Sequence, residues 1–307
     1  MIALANSASL PAPARQRATL IGFTAVLMWA LLALFTTLSG AVPPFQLLAM
    51  TFAIATAIGI VASLTRGTSP VAHLRQPAVV WVTGVGGLFG YHFFYFLALR
   101  NAPAVEASLI AYLWPLLIVV FSALLPSERL RWFHLAGAGL GLAGAGLLVT
   151  KGQSLDFDER HSLGYLAALA CALIWSTYSV ASRRFGQVPT DAVGGFCAAA
   201  AVLAVPCHLA FETTTWPDGW VQWLAVLALG LGPVGGAFFT WDIGMKRGDI
   251  QVLGAAAYAA PLLSTLVLIV AGLAPLTATV AGACLLIVGG AVLAARDLVV
   301  PKPRALS

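Results

Sequence analysis

The sequence predicts an all-α integral membrane protein, with ten transmembrane helices arranged as two inverted five-helix repeats around a central cavity. Three observations lead there. Of 307 residues, 60% are hydrophobic and 9% are charged, with a mean hydropathy of +0.94. Soluble domains carry about 25% charge, so most of this surface must face lipid. Apolar runs of about 20 residues, the length that crosses a hydrocarbon core of about 30 Å as a helix, recur ten times. Finally, the chain matches itself without a gap at an offset of 146 residues: Trp29 falls on Trp175, Tyr112 on Tyr258, Pro115 on Pro261, Gly90 on Gly236 and Gly144 on Gly290. A duplication within so apolar a chain points to a transporter.

The elements follow in order. Residues 1–17 form a tail, and no convincing small-residue cleavage site ends the first apolar run, so the first helix is expected to be retained. The first repeat, 18–150, holds runs at 18–38, 44–64, 78–99, 104–125 and 132–150. The polar stretch 151–161, with Asp156, Asp158, Glu159 and Arg160, is a linker. The second repeat, 162–295, holds runs at 162–183, 192–211, 221–245, 250–271 and 277–295, and 296–307 form a second tail. The 30 glycines and 17 prolines do not argue for loops, because membrane helices tolerate both. Gly139, Gly141 and Gly144 spell a Gly-x-Gly-x-x-Gly, but it follows no strand and has no acidic residue about 20 positions on. Gly137, Gly141, Gly144 and Ala145 read instead as a small-residue face for close helix packing.

Charge sets the orientation. With the N-terminus inside, thirteen Lys and Arg fall on cytoplasmic segments and three, Arg100, Lys151 and Arg160, on outer ones, which makes both termini cytoplasmic. Five helices per repeat is odd, so the second copy enters from the other side. Arg100 and Lys246 are equivalent by the offset, yet fall on opposite faces. The net charge of +5 reflects this distribution and implies no nucleic-acid partner. Cys171, Cys197, Cys207 and Cys284 lie within spans without Cys-x-x-Cys spacing, so neither a disulfide nor a metal site is expected, and no cofactor.

The candidate site is aromatic. Tyr91 and Tyr95 share a face of the third helix, Ser108, Tyr112 and Pro115 one of the fourth, and Trp175 and Tyr178 one of the sixth. Trp29, Trp241 and Tyr258 complete the set, offering flat walls to a mostly apolar ligand. Trp114 lies about 200° from Tyr112 on a continuous helix and is expected to face a neighbouring helix. Trp81, Trp132, Trp216, Trp220 and Trp223, near span ends, read as interfacial anchors. Pro115 and Pro261 kink their helices and serve as candidate hinges. His92 and Asp242 are candidate polar or coupling groups, although His92 also fits a hydrogen-bonded core residue and Asp242 an ion pair with Lys246. Glu106 fits a cap at a helix start.

The paired segments Ala111-Tyr112-Leu113-Trp114-Pro115-Leu116 and Ala257-Tyr258-Ala259-Ala260-Pro261-Leu262 resemble those of the EamA-type branch of the drug/metabolite transporter superfamily, over the full length. Arg17 to Gly22 leading to Trp29, Ile174-Trp175 with Tyr178, Trp241 to Gly244 and Ala274-Pro275-Leu276 resemble its YddG-type aromatic amino-acid exporters. The resemblance implies that helices 1, 3, 4, 6, 8 and 9 surround the cavity, with 5 and 10 outside. It also implies export of aromatic amino acids across a bacterial inner membrane by alternating access. One departure is visible: Ala274 stands where the first copy has Glu128, which gives Glu128 a role in loop structure. The rival readings are a carrier of a different small apolar or amphipathic solute and a membrane-embedded enzyme. The latter lacks His-x-x-x-His and Gly-x-Ser-x-Gly signatures.

Reporter fusions after Gly67, Ser127, Gly186 and Gly248 are expected to read cytoplasmic, and those after Gly40, Gly152 and Thr214 periplasmic. A periplasmic signal at Gly186 or Gly248 would remove the inverted arrangement.

Overall fold

Among the described residues, all regular structure in the computed structural model is helical; these residues are 11–126, 128–155, 157–270, 272 and 275–296. Asp156 of the linker, Ala274, and the tail beyond 296 lie outside them. The apolar runs become α1 Ala12–Leu38, α2 Pro44–Thr65, α3 Ala78–Asn101, α4 Ala104–Ser122, α5 Trp132–Thr150, α6 Glu159–Arg184, α7 Ala192–Phe211, α8 Gly219–Arg247 and α9 Ile250–Val270. These nine are long and apolar enough to cross a membrane; α10, Ala278–Ala294, is apolar but shorter, at 17 residues.

The irregularities repeat with the sequence offset. A π-helical turn interrupts α3 at Gly86–Gly90 and α8 at Gly232–Gly236, 146 residues on. Such single wide turns put an extra residue into the helix and re-aim everything after it. Likewise α4 is two segments, Ala104–Ala111 and Trp114–Ser122, and α9 is two, Ile250–Ala256 and Ala259–Val270. Pro115 and Pro261 sit in the first turn of the second segment of each. That is where a residue without an N–H is tolerated, so these prolines start new helices and do not bend continuous ones.

Packing obeys the same relation. α1 lies against α8, and their mates α6 and α3 lie against each other; α2 packs on α7 and α5 on α10. Small residues bring these backbones together. A Cβ on Gly22 would stand 2.8 Å from the Gly244 Cα at the α1–α8 crossing. The mates of this glycine pair are Ala168 and Ala98, both fully buried in one cluster between α3 and α6. Gly59 approaches Gly194 between α2 and α7. The expected small-residue face of α5 is present: a Cβ on Gly137 would meet the Gly290 carbonyl at 2.5 Å, Gly144 touches Ile287, and Ala145 is buried.

The ends are tied by polar contacts. At one end the Glu212 carboxylate accepts from the backbone N–H groups of Phe45 (2.9 Å) and Gln46 (3.1 Å), capping α2, while His208 lies 2.9 Å from it. An anion there meets the positive end of the helix dipole. At the other end Arg66 pairs with Asp191, linking α2 to α7 again. Trp132, Trp216, Trp220 and Trp223 are exposed, as interfacial anchors are. Trp81 differs: its Nε1 donates to the Leu74 carbonyl and its ring meets Phe196 edge-on.

Gly22→Val is expected to force α1 and α8 apart and lower the melting temperature of the detergent-solubilised protein, at a cost of about 1–3 kcal/mol. Gly139→Ala, where a Cβ would meet nothing within 4 Å, serves as the unchanged control.

Candidate functional site

Four tryptophans from four helices meet at the centre of the molecule. Trp29 of α1 is 5.9 Å from Trp114 of α4, 5.9 Å from Trp175 of α6 and 5.0 Å from Trp241 of α8. Trp114 is in turn 6.2 Å from Trp175 and 5.9 Å from Trp241, with edge-on geometry in both cases. Rings at these separations gain about 0.5–1.5 kcal/mol per pair beyond burial. Two indole N–H groups are anchored: Trp241 Nε1 donates to Ser179 Oγ (3.1 Å), and Trp29 Nε1 to the Pro233 carbonyl (3.1 Å) within the α8 π turn. The wide turn thus supplies an acceptor that a regular helix would keep for itself.

Trp114 was expected to look elsewhere. The 200° separation from Tyr112 assumes an unbroken helix, and the break at Tyr112–Leu113 resets the angular register of everything that follows. Its neighbours are the sixth and eighth helices and Trp29, so it belongs to the central group.

The tyrosines divide into two sets. Tyr91 touches Trp175 at 5.3 Å and lies parallel to Tyr95, at 7° and 6.0 Å. The Tyr91 hydroxyl lies near the Cys171 thiol, and the Tyr95 hydroxyl stands 3.4 Å from Ser108 Oγ. With half-buried Tyr112 they form a hydroxyl-bearing wall continuous with the tryptophans. Tyr178 lies 5.3 Å from Trp175 and is buried, as Trp114, Trp175 and Trp241 themselves are, with its ring packed where a Cβ on Gly87 would clash. Tyr258 departs furthest from the expected cavity wall. It is fully enclosed among Val119, Ala138, Ala145, Leu262 and Ile287, away from the tryptophans. Its hydroxyl donates to the Tyr112 carbonyl (3.0 Å) and accepts from the Leu116 N–H (3.2 Å). These are the backbone groups that the α4 break sets free.

His92 and Asp242 are already partnered. His92 Nδ1 is 2.7 Å from the Leu88 carbonyl, and its ring rests edge-on against Phe52 and Phe238. Since a carbonyl only accepts, Nδ1 carries the proton. Asp242 accepts from Thr190 Oγ1 (2.6 Å) and Lys246 Nζ (2.8 Å), and Lys246 also reaches the Val188 carbonyl. These bonds pin α8 to the segment before α7. Glu106 stands in the first turn of its segment, and its Oε2 is buried without a hydrogen-bond partner among the described residues.

An EamA-like transporter family model matches residues 16–150 and again 162–296. The chain belongs to the EamA-like transporter family. The transporter is 61% identical over 281 residues, 91% of this chain and 97% of the relative, to the aromatic amino acid exporter YddG of Ancylobacter novellus. It is 24% identical over 293 residues, 91% and 97% of the two chains, to the aromatic amino acid exporter YddG of Escherichia coli K12. A crystal structure of a protein 60% identical to the transporter superposes with a TM-score of 0.87, covering 93% of this chain and 99% of that one.

Below the tryptophans the transporter is closed. Segment Ile250–Ala256 of α9 packs on segment Trp114–Ser122 of α4, with Gly254 against the Pro115 carbonyl, Val119 and Ile118. Gln251 Nε2 donates to Ser122 Oγ (3.2 Å) across the contact. The mate segments Ala104–Ala111 and Ala259–Val270 do not pack closely on each other. Val105 is 40% exposed, whereas its mate Gln251 is 4% exposed. The molecule is therefore sealed at one end and parted at the other.

An ion cluster locks the sealed end. Glu128, after α4, lies between Arg183 of α6 (2.6 Å) and Arg15 of α1 (3.3 Å), and Arg15 also pairs with Asp249 before α9 (3.0 Å). Arg183 donates from Nε to the Met245 carbonyl (2.7 Å) and from a terminal nitrogen to the Gly248 carbonyl (2.5 Å). Burial raises the Glu128 carboxyl above its ordinary value, against the pull of the two guanidiniums. Glu128 thus ties the end of α4 to α1 and to α6 of the other repeat, more than a loop role, and no sequence motif marks that.

Arg183→Lys keeps the charge but loses the guanidinium fork that serves two carbonyls and a carboxylate together. We expect a loss of about 3 kcal/mol, read as a lower melting temperature, with Arg184→Lys as the mild comparison.

Proposed function

We propose that this chain exports aromatic amino acids from the cytoplasm across a bacterial inner membrane, by alternating access and without covalent chemistry. The observation that carries the reading is the central aromatic group, built by both repeats from Trp29, Trp114, Trp175 and Trp241. Flat apolar walls favour a flat apolar side chain, and the neighbouring hydroxyls of Tyr91, Tyr95, Ser108 and Tyr112 are neutral partners for the amino-acid end. The name carried by the Ancylobacter novellus relative supports the same substrate class.

The accompanying architecture is ten spans, with α10 as the tenth, in two inverted repeats, 18–150 and 162–295, joined by a periplasmic linker at 151–161. Both termini are cytoplasmic in this reading. The sealed end, bearing Arg15, Arg183 and Lys246, is then the cytoplasmic one, and the structure faces outward. The substrate would contact Trp29, Tyr91, Tyr95, Tyr112, Trp114, Trp175 and Trp241. Tyr178, Tyr258, His92 and Asp242 would support these positions, and the breaks at Pro115 and Pro261 would be where α4 and α9 change direction.

The test is uptake and release by the purified protein in liposomes, comparing phenylalanine, tryptophan, leucine and lysine with and without a pH gradient. Phenylalanine and tryptophan are expected to move and lysine not. Trp114→Ala and Trp241→Ala are each expected to weaken phenylalanine binding about fivefold, or about 1 kcal/mol. Leucine or lysine moving as fast as phenylalanine would reject the substrate class.

A further inference from the structure

We propose that Tyr258 and Tyr112 are a pair of alternating latches, each closing the backbone break of the opposite repeat in one of two end states; this rests on the alternating-access reading. The starting observation is a residue relation. Tyr258 donates its hydroxyl to the carbonyl of Tyr112, which is its own mate at the 146-residue offset, and receives the Leu116 N–H. One hydroxyl spans the gap in α4 and satisfies a carbonyl and an N–H together, inside lipid, where an unsatisfied backbone group costs several kcal/mol. The bond exists only while Ile250–Ala256 of α9 lies on Trp114–Ser122 of α4, which is the packing of the sealed end.

The pseudo-symmetry dictates the converse. Exchanging the repeats turns these contacts into a Tyr112 hydroxyl that donates to the Tyr258 carbonyl and accepts from the Leu262 N–H across the break in α9. That arrangement requires Ala104–Ala111 and Ala259–Val270 to pack together, as they do not here. In the present state the Tyr112 hydroxyl makes no hydrogen bond to the described residues of the second repeat, and its side chain is half-buried beside Tyr95. Tyr112 thus belongs to the cavity wall in one state and to the latch in the other. Tyr258 does the reverse.

The two latches are unequal. The Tyr258 ring fits because Gly141 of α5 has no side chain: a Cβ there would lie 2.4 Å from the ring. The mate of Gly141 is Ile287, already buried against Gly144. Tyr112 therefore meets a bulkier floor in its latched position, and the state latched by Tyr258 is favoured.

The experiment measures the two ends without substrate. Native cysteines are replaced (Cys171→Ser, Cys197→Ala, Cys207→Ala, Cys284→Ala), and spin labels are placed on Val105 and Val270 at the parted end, or on Leu124 and Arg247 at the sealed end, all four being exposed. Distances are read by double electron–electron resonance in liposomes for the parent, Tyr258→Phe, Tyr112→Phe and the double variant. Tyr258→Phe removes one hydroxyl and is expected to shift the ratio of end states about fivefold towards the state sealed at Val105 and Val270, the worth of one hydrogen bond. Tyr112→Phe shifts it in the opposite direction by a smaller factor, and the double variant returns towards the parent. The conservative ring guards against misfolding, and the double variant separates a latch from general destabilisation, which would push both singles the same way. Shifts of the same sign, or distances unmoved in both singles, overturn the proposal. Phenylalanine movement is measured in parallel: opposite shifts without it support the latches and reject the substrate reading.

Discussion

Every backbone polar group in a bilayer has to find its partner inside the protein, and this requirement shapes the whole molecule. Helices meet it automatically until they break. α3 and α8 widen into π turns at matching positions, and α4 and α9 stop and restart at matching prolines. Side chains then match several of the freed groups. Trp29 reaches the Pro233 carbonyl, His92 the Leu88 carbonyl and Tyr258 the two ends of the α4 break. The irregular positions are therefore where tertiary contacts become obligatory, and they surround the aromatic centre.

The distribution of charge follows from the same constraint. Buried ions are expensive in lipid, and the central walls are formed by indoles, phenols and thiols. The ion pairs sit at the ends of helices, Arg183 with Glu128 and Arg15 with Asp249, where carbonyls at helix ends and neighbouring loops add hydrogen bonds. Such pairs contribute geometry more than net stability, because desolvation offsets much of their attraction. Here that geometry joins α1, α4, α6 and the segment before α9 at a single point, so opening this end has to dismantle the cluster as a unit.

Apolar period, run length and the 146-residue self-match are properties of a linear string, so the helices, their duplication and the small-residue face of α5 were legible in the sequence alone. So were most members of the aromatic centre, since Trp29 and Trp175 are mates and Tyr91 and Tyr95 share a face. What only the tertiary structure decided begins at the breaks. Trp114 joins the centre because a helix restarts one residue before Pro115, and an angle counted along a continuous helix cannot cross that gap. Tyr258 leaves the cavity because Gly141, 117 positions away in the chain, provides room for its ring. Glu128 lies between two arginines because three distant segments end at the same place. Two copies with nearly the same motif are equivalent as strings, but the folded molecule packs its two ends differently, and so it makes mates such as Tyr112 and Tyr258 physically different.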